Sequence, residues 1–199
     1  MKHSILFIFC LGSLFAKTQS SDSISISGHL NHIISEYPNR NFQNLQSLNG
    51  CAQYIYDEFN QYSNSVRYQE FQADGKTYKN VIANFGPKDA PKIIVGAHYD
   101  VCGSQDGADD NASGVVGLLE IAKMLTDVQL KKQVEIVAYT LEEPPYFRSE
   151  KMGSYIHAKS LKDNKDDVYG MICLEMIGYF SSEKKSQRYP LGCLLYTSP

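Results

Sequence analysis

KIIVGAHYD, residues 92–100, decides the fold. Its apolar run from Ile93 to Ala97 is short, has no polar face, and breaks into His98-Tyr99-Asp100. That pattern is a buried strand ending in polar groups. Downstream, GVVGLLEIAKMLTD (114–127) has helical spacing, with Ser113 expected as its N-cap. QVEIVAYTLEE (133–143) is a second buried strand, ending in acids. SEKMGSYIHAKSL (149–161) is expected to be helical, and VYGMICLEMIGYF (168–180) is a third strand. Strand, helix, strand, helix, strand predicts an α/β domain with a largely parallel core sheet. Upstream, Leu45, Leu48, Ala52, Ile55, Tyr56 and Phe59 predict a helix within 42–62. VRYQEFQ and TYKNVIANFG flank a hairpin turn at Ala73-Asp74-Gly75-Lys76. ISGHLNHIISEY (26–37) is a weaker helical stretch.

The chain has 199 residues, enough for one domain with a real core. Its net charge of −3 and the lack of a basic run speak against nucleic acid or an acidic lipid surface as partner. The start, MKHSILFIFCLGSLFAKTQS, pairs a basic Lys2 with an apolar run from Ile5 to Ala16. That run is short for a membrane span, so stable membrane insertion is not expected. Residues 1–20 are predicted to be a signal peptide, which makes the protein secreted or extracytoplasmic. Lys2 and Lys17 are its only Lys, Arg, Asp or Glu residues, so its loss shifts the net charge from −3 to −5. Removing it also leaves four of five cysteines: Cys51, Cys102, Cys173 and Cys193. No CxxC pair occurs, so a thiolate zinc site is not expected. An exported chain can form disulfides, and the three possible pairings stay open. Cys173, inside an apolar run, is expected to be a small buried residue. Only 24 residues follow Glu175, which is short for an α/β sheet, so an early or aberrant chain end is expected.

Open α/β sheets bind ligands at the carboxyl ends of their strands. Here those ends carry His98 and Asp100, then Glu142 and Glu143, then Glu175. Asp109 and Asp110 lie in GADDNASG (107–114), between the first strand and its helix. Each residue alone has an ordinary structural role. Together they place much negative charge on one rim, which is costly without a cation. Histidine with carboxylates suits zinc, less often manganese or cobalt. Asp100 is two residues beyond His98, so it can reach the imidazole and fix its tautomer. Glu142 and Glu143 point apart on an extended backbone, so one can bind metal while the other holds a water.

VGAHYD, GADDNASGVVGLLEIA, TLEEPPYF with MGS, and LEMIGYF together resemble the M28 family of di-zinc peptidases, over about residues 80–190. The resemblance implies a phosphorylase/hydrolase-like three-layer α/β sandwich with a mixed, largely parallel sheet, incomplete here at the C-terminus. It implies residues 21–199 as one zinc peptidase domain, with about the last ten aberrant. It implies two Zn2+ ions and peptide or protein substrates. His98 matches the histidine of the first zinc, Asp100 its orienting aspartate, Asp110 the bridging ligand and Glu175 the acid completing the first site. Glu142 matches the general base acting on a metal-bridging water, and Glu143 a ligand of the second zinc. Asp109 is then a neighbour of the bridge. A cis peptide is expected at Asp110–Asn111. The family's late histidine has no counterpart after His157, which stands in the helix following MGS, so only the first site is complete.

The implied activity is hydrolysis of peptide bonds, with release of N-terminal residues favoured by the acidic pocket. Glu142 takes the proton of the water and passes it to the leaving amine. Tyr146 and Phe147 either line the pocket or pack. Three rivals stand beside this. One is a glutaminyl-cyclase-like reaction with a single zinc, and another is a non-catalytic fold member. The third, a serine hydrolase built on Ser113, fails because NASG is not GxSxG and Ser113 has no partners in order. Asn111-Ala112-Ser113 is formally a glycosylation sequon, expected to be unused because it lies in the site loop.

Overall fold

The computed structural model describes residues 21–184. The signal-peptide reading of residues 1–20, Cys193 and the expected aberrant ending lie outside the described residues.

Two helices open the fold. In α1 (Ser23–Glu36), Asp22 caps the start by accepting from Ile24 N at 3.0 Å. In α2 (Leu45–Asn60), Asn44 accepts from Ser47 N at 3.3 Å, and Leu48, Cys51, Ala52, Ile55 and Phe59 form the buried stripe. Each large side chain on that stripe contributes about 1.5–3 kcal/mol by leaving water. A hairpin follows, with β1 (Val66–Ala73) and β2 (Lys76–Phe85) antiparallel. Its two turn residues, Asp74 and Gly75, have φ of 48° and 76°, the pair that a tight two-residue hairpin demands.

Next come β3 (Lys92–His98), a wide helical turn over Ala108–Ser113, α3 (Gly114–Leu125), β4 (Gln133–Tyr139), α4 (Gly153–Asn164) and β5 (Val168–Cys173). The sheet order is β1-β2-β4-β3-β5. β4, β3 and β5 run parallel, and β2 lies antiparallel to β4. The result is a mixed five-stranded sheet flanked by helices.

Alternation along β3 and β4 sorts their side chains between two layers. Val95, Ala97, Ile136 and Ala138 join Ile33, Ile55, Phe59 and Leu118 in the main core, between the sheet and α1 to α3. Ile94, Val137 and Tyr139 face the other way and pack with Leu161 of α4. His98 shares the α4 face with Ile94, so it leaves the sheet where that layer opens. Among the described residues, no helix is long and apolar enough to cross a membrane.

Three expectations need correction. Cys173 is exposed, because β5 is an edge strand with no helix laid over it among the described residues. The third strand stops at Cys173 rather than running on to Phe180. Beyond Leu174 the backbone bonds to the Asp109–Ser113 turn instead of to a neighbouring strand. Ser113 makes no side-chain cap to α3. Asn111 Oδ1 accepts from Gly114 N at 3.1 Å in its place. Among the described residues, Cys51, Cys102 and Cys173 are free thiols.

Candidate metal centre

The parallel order β4-β3-β5 brings three strand ends side by side. Donor atoms of His98, Asp110 and Glu175 all lie within 4.8 Å of one another. His98 Nε2 is 3.2 Å from Asp110 Oδ1 and 3.5 Å from Glu175 Oε1. Asp110 Oδ1 is buried yet has no hydrogen-bond partner. A buried carboxylate oxygen without a partner is costly, and a cation would satisfy it.

The histidine is oriented for that role. Its Nδ1 lies 3.1 Å from the Asp100 carbonyl oxygen, which accepts the Nδ1 proton and leaves Nε2 facing the acids. The Asp100 carboxylate is 3.6 Å away, so the carbonyl is the nearer restraint on the ring. The carboxylate also turns toward the end of β4, where its oxygens accept from Glu142 N at 3.3 Å and Glu143 N at 3.1 Å. Burial disfavours a charged imidazole, but Asp100 and Glu175 push His98 up to about 11. The pocket thus favours a positive charge at its centre. One histidine and two carboxylates converging on a point fit zinc in size and chemistry.

Glu142 and Glu143 line the same cavity of about 890 Å3 as His98, Asp110 and Glu175. Burial pushes the Glu142 carboxyl up to about 7, against two hydrogen bonds from Ser154 that work to lower it. Burial, with Asp110 next, also raises Glu143. Glu143 stands outside the three-residue donor cluster. Its prospective partner histidine is not His157, which is buried under α4 between Tyr139 Oη and Glu135 Oε1, each at 3.0 Å. Phe147 lines the cavity. Tyr146 is instead part of the core edge, packed on Phe42 and donating to Asp74 at 2.8 Å.

The GADDNASG turn shows why it needs its residue types. The Asp110–Asn111 peptide is cis, as expected. A Cβ on Gly107 would lie 2.6 Å from Asp110 O, and one on Gly114 would lie 2.4 Å from Asn111 Oδ1. Both approaches exclude a side chain. Asn111 uses all its bonding capacity. Nδ2 donates to Leu174 O at 2.8 Å and Glu175 Oε2 at 3.1 Å, while Oδ1 accepts from Gly114 N and from Met176 N at 3.2 Å. It is buried and so committed, which removes it as a glycan acceptor in the folded chain. Asp109 points away from the donor cluster and accepts from Gly178 N at 2.9 Å. The Ser113 hydroxyl donates to Asp109 O at 2.7 Å and accepts from Ile177 N at 3.1 Å. Among the described residues it has no histidine partner. The turn and the Glu175 loop are therefore one hydrogen-bonded unit.

Sequence reasoning missed Arg40. Its guanidinium, fully buried, donates to Tyr99 O at 2.8 Å and to Asp106 O and Gly107 O at 2.7 Å. It holds the loop that joins His98 to Asp110. No local signal marks it, since its partners are carbonyls that every residue type carries. It also missed Ser154, which pins the Glu142 carboxylate. The small MGS triplet stood out only as part of a resemblance.

Comparison with known proteins fits this geometry. Residues 80–193 match peptidase family M28. The uncharacterized protein YfbL of Escherichia coli (strain K12) is 45% identical over 168 residues, covering 80% of this chain and 51% of that protein. Aminopeptidase YwaD of Bacillus subtilis is 33% identical over 117 residues, covering 57% of this chain and 25% of that protein. The chain thus spans about half, or less, of the length of these relatives. Among solved structures, Porphyromonas gingivalis glutaminyl cyclase superposes with a TM-score of 0.69 at 22% identity, covering 79% of this chain and 62% of that one. The strand order, the acids at the strand ends and the matched span of more than half the chain lead to one conclusion: this chain belongs to peptidase family M28.

Proposed function

We propose that this domain serves zinc-dependent hydrolysis of peptide bonds, releasing residues from the N-termini of peptides or proteins. The observation that carries the reading is the His98, Asp110 and Glu175 cluster, with an unpartnered Asp110 oxygen, on one cavity with Glu142. His98, Asp110 and Glu175 would hold one ion, and Asp110 with Glu143 would contribute to a second. Bound zinc supplies Lewis acidity, which acidifies water and polarises a carbonyl. Glu142 takes the proton of the attacking water and delivers it to the leaving amine. Asp100 holds His98 and the Glu142–Glu143 backbone in one frame. The carboxylates of the cavity attract a free α-amino group, which favours exopeptidase action. The basic, short apolar start of the chain supports export.

The test is zinc content and turnover of the purified protein and of Glu142→Gln. That variant is expected to keep metal and lose hydrolysis of an aminoacyl anilide. Full activity would remove Glu142 from the role. A second reading, cyclisation of N-terminal glutamine, draws on the single complete donor trio and the shared fold of the cyclase. A glutaminyl peptide offered as substrate separates the two, by cyclised against shortened product.

A further inference from the structure

We infer that Ser154, at the start of a helix fastened to β4, is the positioning residue of Glu142. The inference rests on the reading of Glu142 as proton acceptor. Ser154 N donates to Glu142 Oε1 and Ser154 Oγ donates to Oε2, both at 2.7 Å. One residue thus holds both oxygens of the carboxylate. Its N–H is free to do so because the first N–H groups of a helix lack intrahelical partners, and Ser154 is the second residue of α4. Each carboxylate oxygen has two lone-pair directions. The clamp occupies one on each and leaves the other for a water proton.

The start of α4 is itself fastened to the strand that carries Glu142. Gly153 N donates to Thr140 O at 2.8 Å, and Asn80 Nδ2 donates to Gly153 O at 2.8 Å. His157, three residues after Ser154 on the same helix face, sits between Tyr139 Oη and Glu135 Oε1. Its ring donates Nε2–H to the Glu135 carboxylate, and Nδ1 accepts a hydrogen bond from the Tyr139 hydroxyl. Lys92 and Arg67 lie 3.9 and 3.8 Å from Glu135 Oε2 and balance its charge. The histidine that the late-ligand pattern left unexplained therefore ties α4 to β4, three residues before Glu142. A misplacement of a proton acceptor by about 1 Å can cost on the order of 100-fold in rate.

The experiment compares Ser154→Ala, Ser154→Thr and Glu142→Gln in the full-length, zinc-loaded protein on an aminoacyl anilide. Ser154→Ala is expected to lower kcat about 10- to 100-fold, the worth of one hydrogen bond to a charged group. KM, bound zinc and thermal unfolding should stay near the parent values. Ser154→Thr, which keeps the hydroxyl, should recover most of kcat. Parent-like kcat in Ser154→Ala, beside an inactive Glu142→Gln, overturns the positioning role alone. Zinc loss or unfolding in parallel with kcat, with no recovery in Ser154→Thr, also overturns it. Full turnover in Glu142→Gln overturns the assignment of the base on which the inference stands.

Discussion

The carboxylate of Asp100 accepts a hydrogen bond from the backbone N–H of Glu143 at 3.1 Å. The same residue receives His98 Nδ1–H on its carbonyl. One aspartate thus couples the end of β3 to the end of β4. Asp100→Asn keeps the shape but has one side-chain acceptor where two N–H groups need one each. Zinc affinity is expected to fall about 10-fold, because the variant keeps the backbone carbonyl that holds His98 but loses the carboxylate charge 3.6 Å from Nδ1 and half of the clamp on the Glu142–Glu143 backbone. Competition with a zinc-binding dye measures it, and unchanged affinity would remove Asp100 from this role.

Asn111→Asp tests the joint between the Asp110 turn and the Glu175 loop. The change is nearly isosteric, but it sets an acceptor against Leu174 O and the Glu175 carboxylate. A loss of about 2–4 kcal/mol is expected in urea unfolding, from two lost donors in a buried site. Weakened zinc binding should accompany it, because Glu175 loses its restraint.

Arg40 offers a test of how the His98–Asp110 loop is held. Arg40→Leu leaves three carbonyls without their donor. The expected destabilisation is about 3–5 kcal/mol. Arg40→Lys should recover only part of it, since one ammonium cannot match the planar spread of a guanidinium. A change below about 1 kcal/mol in denaturant titration would contradict the burial argument.

Acid stability is set in part by Glu135. Burial works to raise its carboxyl, but His157, Lys92 and Arg67 outweigh that and hold it below the ordinary range. A depressed folded-state value means that the stabilisation is full above the unfolded value, about 4.3, and is lost as pH falls through the folded one. Glu135→Gln should lower stability near neutrality and flatten the acid slope of the unfolding free energy. Parallel pH curves for parent and variant would refute this.

Much of the fold was legible because buried strands and amphipathic helices write their period into a few consecutive residues. Ile93 to Ala97 and Val134 to Ala138 are such strands, and Leu48 to Phe59 is such a helix. His98, Asp110 and Glu175 were legible as candidates because polar residues that end apolar strands fall on one rim. Cys173 was misread because an apolar run says that a strand forms, not that its faces are covered. Ser113 was misread because Asn111, two positions earlier, satisfies the helix start and frees the hydroxyl for Asp109. Arg40 was invisible because its partners are backbone carbonyls 59 to 67 residues away.

By itself, the sequence determined the order of strands and helices, the acidic rim and the family, since each depends on local pattern or on residue identity. Residue patterns placed Asp110 and Glu175, separated by 65 positions, with His98 only through a family resemblance, and tertiary structure decided that their donor atoms come within 4.8 Å of one another. It alone turned Asp109 outward, buried His157 beneath α4 and set Ser154 on Glu142. The reason is physical. Periodicity reports which face of an element leaves water, whereas distances between distant side chains follow from the sheet order β4-β3-β5 and from the hydrogen bonds that lock its loops.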